Sequence, residues 1–221
     1  MMKPYDIHFK LQLVEGLNVD PVSFNPTGRC LPGGLYFSRE DIFSFVDDRP
    51  WIREVTLPLF AKVYEEPEAL SKNYPKKWKA DSIILGPRRF IWDINTIKSL
   101  LDEGANRNDM LLVWAAQYGR FEALKFLIEN GFDVNAKNGM AFRHASRNGY
   151  LETVKYFVEH GADIHLQDDM AFQLASEYGR LDVVKYLVEQ GANTHVNNDY
   201  AIIRAEKNEW KRVVAYLKEI K

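Results

Sequence analysis

The sequence predicts a small α+β domain at the N-terminus followed by an all-α repeat solenoid. Three observations predict it. Gly131, Gly161 and Gly191 stand thirty residues apart, and Met110, Met140, Met170 and Tyr200 keep the same register, as do Gly119, Gly149 and Gly179. The segments EALKFLIENGFDVNA, ETVKYFVEHGADIHL and DVVKYLVEQGANTHV read as one sequence written three times. All nine prolines of the 221 residues lie before residue 90, so texture changes where the repeats begin. A fixed period of this size marks stacked units that cannot bury their apolar faces alone.

From the N-terminus, residues 1–90 read as short strands and turns. Ile7–Val14, Gly34–Phe37, Glu54–Leu57 and Ile83–Leu85 are the candidate strands, and Arg39–Val46 is a candidate helix. Asp20-Pro21, Asn25-Pro26, Pro32-Gly33-Gly34 and Asp48-Arg49-Pro50 are breakers. Residues 91–107 hold half a repeat, one helix and its Gly104-Ala105-Asn106 exit. Something upstream is expected to cover its open face.

Four units follow, 108–137, 138–167, 168–197 and a capping unit at 198–221. Each full unit holds two helices. The first helices fall at 110–118, 140–148 and 170–178, and the second at Phe121–Asn130, Leu151–His160 and Leu181–Gln190. Leu151, Val154, Phe157 and Val158 make one helical face, repeated by Phe121, Leu124, Leu127 and Ile128 and by Leu181, Val184, Leu187 and Val188. Gly separates the helices within a unit and closes the second one. Asn108, Asn138, Asp168 and Asn198 are placed to cap the first helices. Glu122, Glu152 and Asp182 suit the positive end of a second helix, with Lys125, Lys155 and Lys185 three residues on. The last unit carries Glu209 where a turn Gly is due, and it offers Arg204, Lys211 and Lys218 as a polar end.

The GADVNA-like exits, the Ala-Ala or Ala-Ser pairs at 115–116, 145–146 and 175–176, and the helix–Gly–helix layout resemble ankyrin repeats. Two departures stand out. The units are three residues shorter than the usual 33, and the Thr-Pro-Leu-His start is replaced by MLLV, MAFR, MAFQ and YAII. The deletion falls in the hairpin between units, so short, poorly paired fingers are expected. The stretch GLNVDPVSFNPTGRCLPGGLYFS, with IREVTLP, VYEEP and KKWKADSIIL, looks like the leader that precedes ankyrin repeats in mimivirus-like giant DNA viruses of amoebae.

Composition narrows the function classes. At 46% hydrophobic and 27% charged the chain is ordinary globular protein. A net charge of −2 argues against a dominant nucleic-acid or anionic-membrane surface. One cysteine, Cys30, fits a reducing compartment, and no Cys-His signature surrounds it. No apolar run approaches the ~18 residues of a membrane span, and MMKPYDIHFK lacks a signal-peptide core. These features point to a soluble intracellular protein, neither secreted nor membrane-bound; the resemblance to giant-virus proteins implies host cytoplasm as its place, and a monomer is expected. No Walker, Rossmann or HExxH pattern occurs, and no cofactor or metal is expected.

Four candidate chemistries have plainer readings. His165 and His195 share a column one repeat apart, roughly 10 Å. That is too far for one zinc with ligands at about 2.0–2.1 Å, so hydrogen bonding is their expected role. His144, in a column with Trp114 and Leu174, is expected as a packed, hydrogen-bonded imidazole. The basic run Lys72, Lys76, Lys77 and Lys79 with Tyr74 and Trp78 reads as a solvated loop anchored by Trp78 rather than a nucleic-acid platform. Gly34-Leu35-Tyr36-Phe37-Ser38 is similar to a strand of ADP-ribosyltransferases. That resemblance implies His8, Tyr36 and Glu65 or Glu66 as a nicotinamide-dinucleotide site. A strand packed in a small core is the bland reading.

Resemblance to ankyrin arrays implies a protein-binding scaffold that meets its partner on the concave face. The residues so placed are Asp109, Gln117 and Tyr118 in the first unit and Arg143, Arg147 and Asn148 in the second. The third offers Asp169, Gln173, Glu177 and Tyr178, and the last Asp199, Lys207 and Asn208. These columns change type between units while the packing columns hold steady. Tyr118 and Tyr178 are the anchor candidates, since Tyr and Arg dominate hot spots.

Overall fold

The computed structural model describes residues 16–19, 35–37, 51–57, 59, 61, 63–65, 78–80, 82–105 and 107–220. The chain forms two compact units, Met1–Asn108 and Asp109–Lys221.

In the first unit the described strands are β1 (Gly16–Val19), β2 (Leu35–Phe37), β3 (Trp51–Thr56), β4 (Val63–Glu65), β5 (Trp78–Ala80) and β6 (Ser82–Phe90). They pair antiparallel in two three-stranded sheets, β1-β6-β3 and β2-β5-β4. Ile83 points inward and Ile84 outward, as strand alternation requires. Val55 and Leu57 pack against the buried Ala80 and Ile83. Pro87 cannot donate to a ladder, and β6 is the central strand of its sheet. The conflict is resolved locally. β1 pairs only with residues 82–85, and the β3 register slips between Arg53 and Val55, opposite Gly86 and Pro87.

The expected strands at Gly34–Phe37, Glu54–Leu57 and Ile83–Leu85 overlap β2, β3 and β6. Ile7–Val14 and Arg39–Val46 lie outside the described residues. Trp78 and Lys79, expected in a loop, instead form β5, where Lys79 stands opposite both Tyr36 and Tyr64. Lys72, Lys76 and Lys77 are outside the described residues, as is Cys30.

Helix α1 (Ile94–Asp102) follows β6. Asp93 caps it, accepting from the Thr96 backbone N–H at 2.9 Å and from its hydroxyl at 3.1 Å. Arg89 on β6 donates to Ser99 at 3.3 Å and Glu103 at 3.5 Å, tying strand to helix.

The second unit alternates first and second helices. The first helices are α2 (Met110–Gln117), α4 (Ala136–Asn148), α6 (Leu166–Glu177) and α8 (Val196–Lys207). The second are α3 (Phe121–Glu129), α5 (Leu151–Glu159), α7 (Leu181–Glu189) and α9 (Lys211–Glu219). Core columns run through the stack. Leu112, Phe142, Phe172 and Ile202 form one, Ala115, Ala145, Ala175 and Ala205 another, and Leu127, Phe157, Leu187 and Leu217 a third, all buried. The alanines let the first helices approach closely, and the larger residues fill the space behind them.

The hairpin fingers are gone. Where a paired finger would stand, three successive residues adopt left-handed backbone. They are Lys137, Asn138 and Gly139 (φ 54, 57 and 67°), Gln167, Asp168 and Asp169 (54, 57 and 54°), and Asn197, Asn198 and Asp199 (53, 55 and 62°). This corrects the expected capping by Asn138, Asp168 and Asn198. They sit mid-turn, where Asn and Asp tolerate positive φ better than most residues. At α2 the cap position is Asp109 rather than Asn108, without a side-chain capping bond.

Each loop is braced the same way. The side chains of Asp133, Asp163 and Asn193 accept from the backbone N–H two residues on, at 2.9, 2.9 and 3.0 Å. Adjacent loops are then stitched together by one of two devices. Asn135 donates to the Gly161 carbonyl at 3.0 Å and accepts from the Asp163 N–H at 2.9 Å. One unit on, His165 replaces that Asn and Asp169 replaces Gly139. The Asp169 carboxylate accepts from the His165 ring at 2.9 Å and from the Asn193 N–H at 3.2 Å. His195 and Asp199 repeat the ring–carboxylate pair at 2.6 Å. The histidines therefore hydrogen-bond locally.

Glu209 holds the turn that Gly fills in the other units, at φ 61°. Its backbone bonds match theirs, with Trp210 N–H reaching the Ala205 carbonyl at 2.9 Å. A left-handed non-Gly residue costs about 1–2 kcal/mol, part of which glycine's greater unfolded-state freedom cancels. Glu209→Gly is expected to stabilise the chain by roughly 0.5–1 kcal/mol, read as a higher urea midpoint. A lower midpoint would show that the exposed Glu209 side chain has a compensating contact.

Candidate protein-binding groove

The C-terminal ends of the first helices and the turns after them form one continuous polar strip along the second unit. Its order comes from large side chains laid on turn glycines. The residue that ends each of these turns packs on the turn glycine of the preceding repeat: Tyr150 on Gly119, Arg180 on Gly149 and Trp210, which follows Glu209, on Gly179. Two of them also hydrogen-bond back. Arg180 Nε donates to the Arg147 carbonyl at 2.9 Å, and Trp210 Nε1 donates to the Glu177 carbonyl at 2.8 Å. Asn148 and Asn208 add amide donors to the Gln117 and Glu177 carbonyls, each at 2.8 Å. These bonds satisfy carbonyls that a helix end leaves open.

Within the second unit, between its first two repeats, the strip opens into a pocket of about 440 Å³. Gln117 and Tyr118 line it from α2, and His144, Arg147 and Asn148 from α4. Tyr150 and Arg180 close it from the following turns. Tyr118 stacks on Trp114 with centroids 6.0 Å apart, and the Arg147 guanidinium lies 4.4 Å over the Tyr178 ring. His144 is half-buried, and no protein hydrogen bond to its ring is found among the described residues, which corrects the expected bonded imidazole. Burial, aided by the Arg147 and Arg143 charges, holds its pKa below the ordinary histidine value. Burial also lowers the Arg143 pKa, and the Nε of Arg143 is buried without an acceptor.

The structure gathers Gln117, Tyr118, Arg147 and Asn148 around this pocket and sets Tyr178 beside it. Glu177 is spent on Arg204, whose Nε reaches it at 3.1 Å. Arg204 is thus drawn back along the strip instead of facing outward at the end of the stack. Lys218 pairs with Glu206 at 2.8 Å there, and Lys207 and Asn208 are exposed. Asp109 and Asp199 are partly exposed.

Asp169 and Gln173 are corrections. They are only 4% and 2% exposed, Asp169 stitching adjacent loops and Gln173 donating its amide to the Asp168 carbonyl. Neither is available to a partner as it stands. Tyr150 and Arg180 were missed by the sequence reading. Their signal was present in the column Arg120, Tyr150, Arg180 and Trp210, where every residue is large and planar at its tip.

The residues of the possible enzyme site are only partly described. His8 and Glu66 lie outside the described residues. Tyr36 is on β2 and Glu65 on β4, the two strands that flank β5. Among the described residues, no helix is long and apolar enough to cross a membrane.

Residues 92–168 match the family model for ankyrin repeats in three copies, and residues 170–199 match that for the single ankyrin repeat. Residues 92–199 therefore form an ankyrin-repeat region. The chain's relatives include proteins of Acanthamoeba polyphaga mimivirus. It is 38% identical to ankyrin repeat protein R229 over 53% of this chain and 40% of that one. It is 30% identical to ankyrin repeat protein R868 over 57% of this chain and 63% of that one. With a further mimivirus protein, R869, the identity is 30% over 58% of this chain and 85% of that one. The chain thus spans less than two thirds of the length of R229 and R868.

Proposed function

We propose that this chain is a non-catalytic protein-interaction scaffold that binds a host or viral protein through the first-helix face of its repeats. One observation carries the reading. Columns that pack stay apolar from unit to unit, whereas the strip columns Gln117, Arg147, Glu177, Lys207 and Tyr118, Asn148, Tyr178, Asn208 change type. A face whose chemistry varies on a fixed scaffold suits recognition. The pocket lined by four strip residues is its most differentiated part. With the fingers reduced to left-handed turns, helix ends and inter-unit turns carry the contacts.

In this reading residues 1–90 form an α+β cap over the half-repeat at 91–107, the protein acts as a monomer in host cytoplasm, and its partner is protein rather than nucleic acid. An ADP-ribosyltransferase-like site is the competing class, and no observation on Tyr36 or Glu65 favours it over a packed strand.

The test is capture from amoebal lysate with the intact chain beside a chain carrying Tyr118→Ala, Arg147→Ala and Tyr178→Ala. The expected result is a protein retained by the intact chain and lost by the variant at unchanged thermal stability. A partner held equally by both would move the function off this face.

A further inference from the structure

We infer that the pocket between the first two repeats is an anion receptor that takes an aspartate- or glutamate-bearing segment of the partner protein. This rests on the scaffold reading above and names the chemistry of the partner. The chain as a whole is slightly acidic, at −2, yet Arg147 and Arg180 line the pocket and no carboxylate does. Arg143, one turn from Arg147 on α4, adds a third cation nearby.

Cations at helix C-termini often serve only the helix dipole, and here that role is already filled by bonds to the backbone. The Gln117 carbonyl is taken by Asn148 and the Arg147 carbonyl by Arg180 Nε. What remains is the Arg147 guanidinium, set over the Tyr178 ring and exposed, and the outer nitrogens of Arg180. The contact with the Tyr178 ring, 4.4 Å from the guanidinium carbon, restrains Arg147 before a ligand arrives. A carboxylate accepts two guanidinium N–H bonds at once. The next strip position shows the arrangement in use: Arg204 engages Glu177 in this way inside the chain, which leaves the strip neutral there and cationic at Arg147. The flanking Tyr118 and Tyr150 rings offer apolar faces for the residues beside the acid.

The test is a display selection of random peptides against the intact chain, with affinities of enriched peptides measured on the intact chain and on Arg147→Gln. Arg147 is exposed and its backbone bonds do not depend on its side chain, so the variant is expected to fold, which circular dichroism checks. The expected outcome is enrichment of peptides rich in Asp and Glu that lose about tenfold or more in affinity on Arg147→Gln and weaken with salt. Neutral or basic peptides displaced by substitutions at Tyr118, or acidic peptides held equally by the variant, would overturn the anion receptor and leave the scaffold reading standing. No enriched peptide at all would overturn both.

Discussion

Phe157→Ala is expected to cost about 3–5 kcal/mol of stability, the range for emptying a large core site. Phe157 is fully buried and meets Phe142 edge-on, with ring centroids 5.9 Å apart. It is also the one aromatic residue in a column otherwise filled by leucines at 127, 187 and 217. The second repeat is therefore built around the bulk of this ring, and alanine leaves a space that Leu127 and Leu187 cannot fill from the adjoining units. Because each unit is stable only through its neighbours, the loss falls on both interfaces of the second repeat. Urea unfolding of the full chain measures it. A change under about 1 kcal/mol would mean the cavity collapses, contrary to the close packing described.

Gly179→Ala is expected to cost roughly 2–4 kcal/mol, from left-handed strain and overpacking together. A Cβ at Gly179 would stand 2.6 Å from Trp210 Cε3, and the backbone is at φ 70°. Gly161 supplies the internal control. Its φ is 85° and a Cβ there meets nothing within 4 Å, so Gly161→Ala carries only the strain, about 1–2 kcal/mol. The excess at Gly179 measures the closeness of the Trp210 approach. It should shrink in a Trp210→Ala background, because the two sites are in contact and their effects do not add. Equal costs at both glycines would show that Trp210 can move aside freely.

The repeats were legible because two periods are superposed in the sequence, thirty residues for the unit and the helical period within it. Leu151, Val154 and Phe157 announce a buried face by spacing alone, and α5 starts at Leu151 as expected. The turns were less legible. Asn138 and Asp168 suit an N-cap and a left-handed residue equally well, and composition does not separate the two. Only the deletion of the hairpin, which leaves few residues to reverse the chain, favours the left-handed turn. Asp169 and Gln173 looked like groove residues because column position was the only guide. The exchange of Asn135 and Gly139 for His165 and Asp169 was the readable clue that Asp169 had been recruited to the loop. In the first unit the expected strand Ile83–Leu85 stopped just short of Gly86 and Pro87. Here the register slip beside them lets the strand run on to Phe90.

The groove itself was half legible. Gln117, Tyr118, Arg147 and Asn148 were placed by column, but the pocket they share depends on Tyr150 and Arg180 reaching back over Gly119 and Gly149. That reach is a contact between units and leaves no periodic trace other than size.

The most direct test of the account is amide hydrogen exchange on the intact chain with and without its captured partner. The account predicts protection at the ends of α2, α4 and α6 and in the turns around Tyr150 and Arg180, with α3, α5 and α7 unchanged. Protection confined to α3, α5 and α7, or to residues before 91, would contradict it.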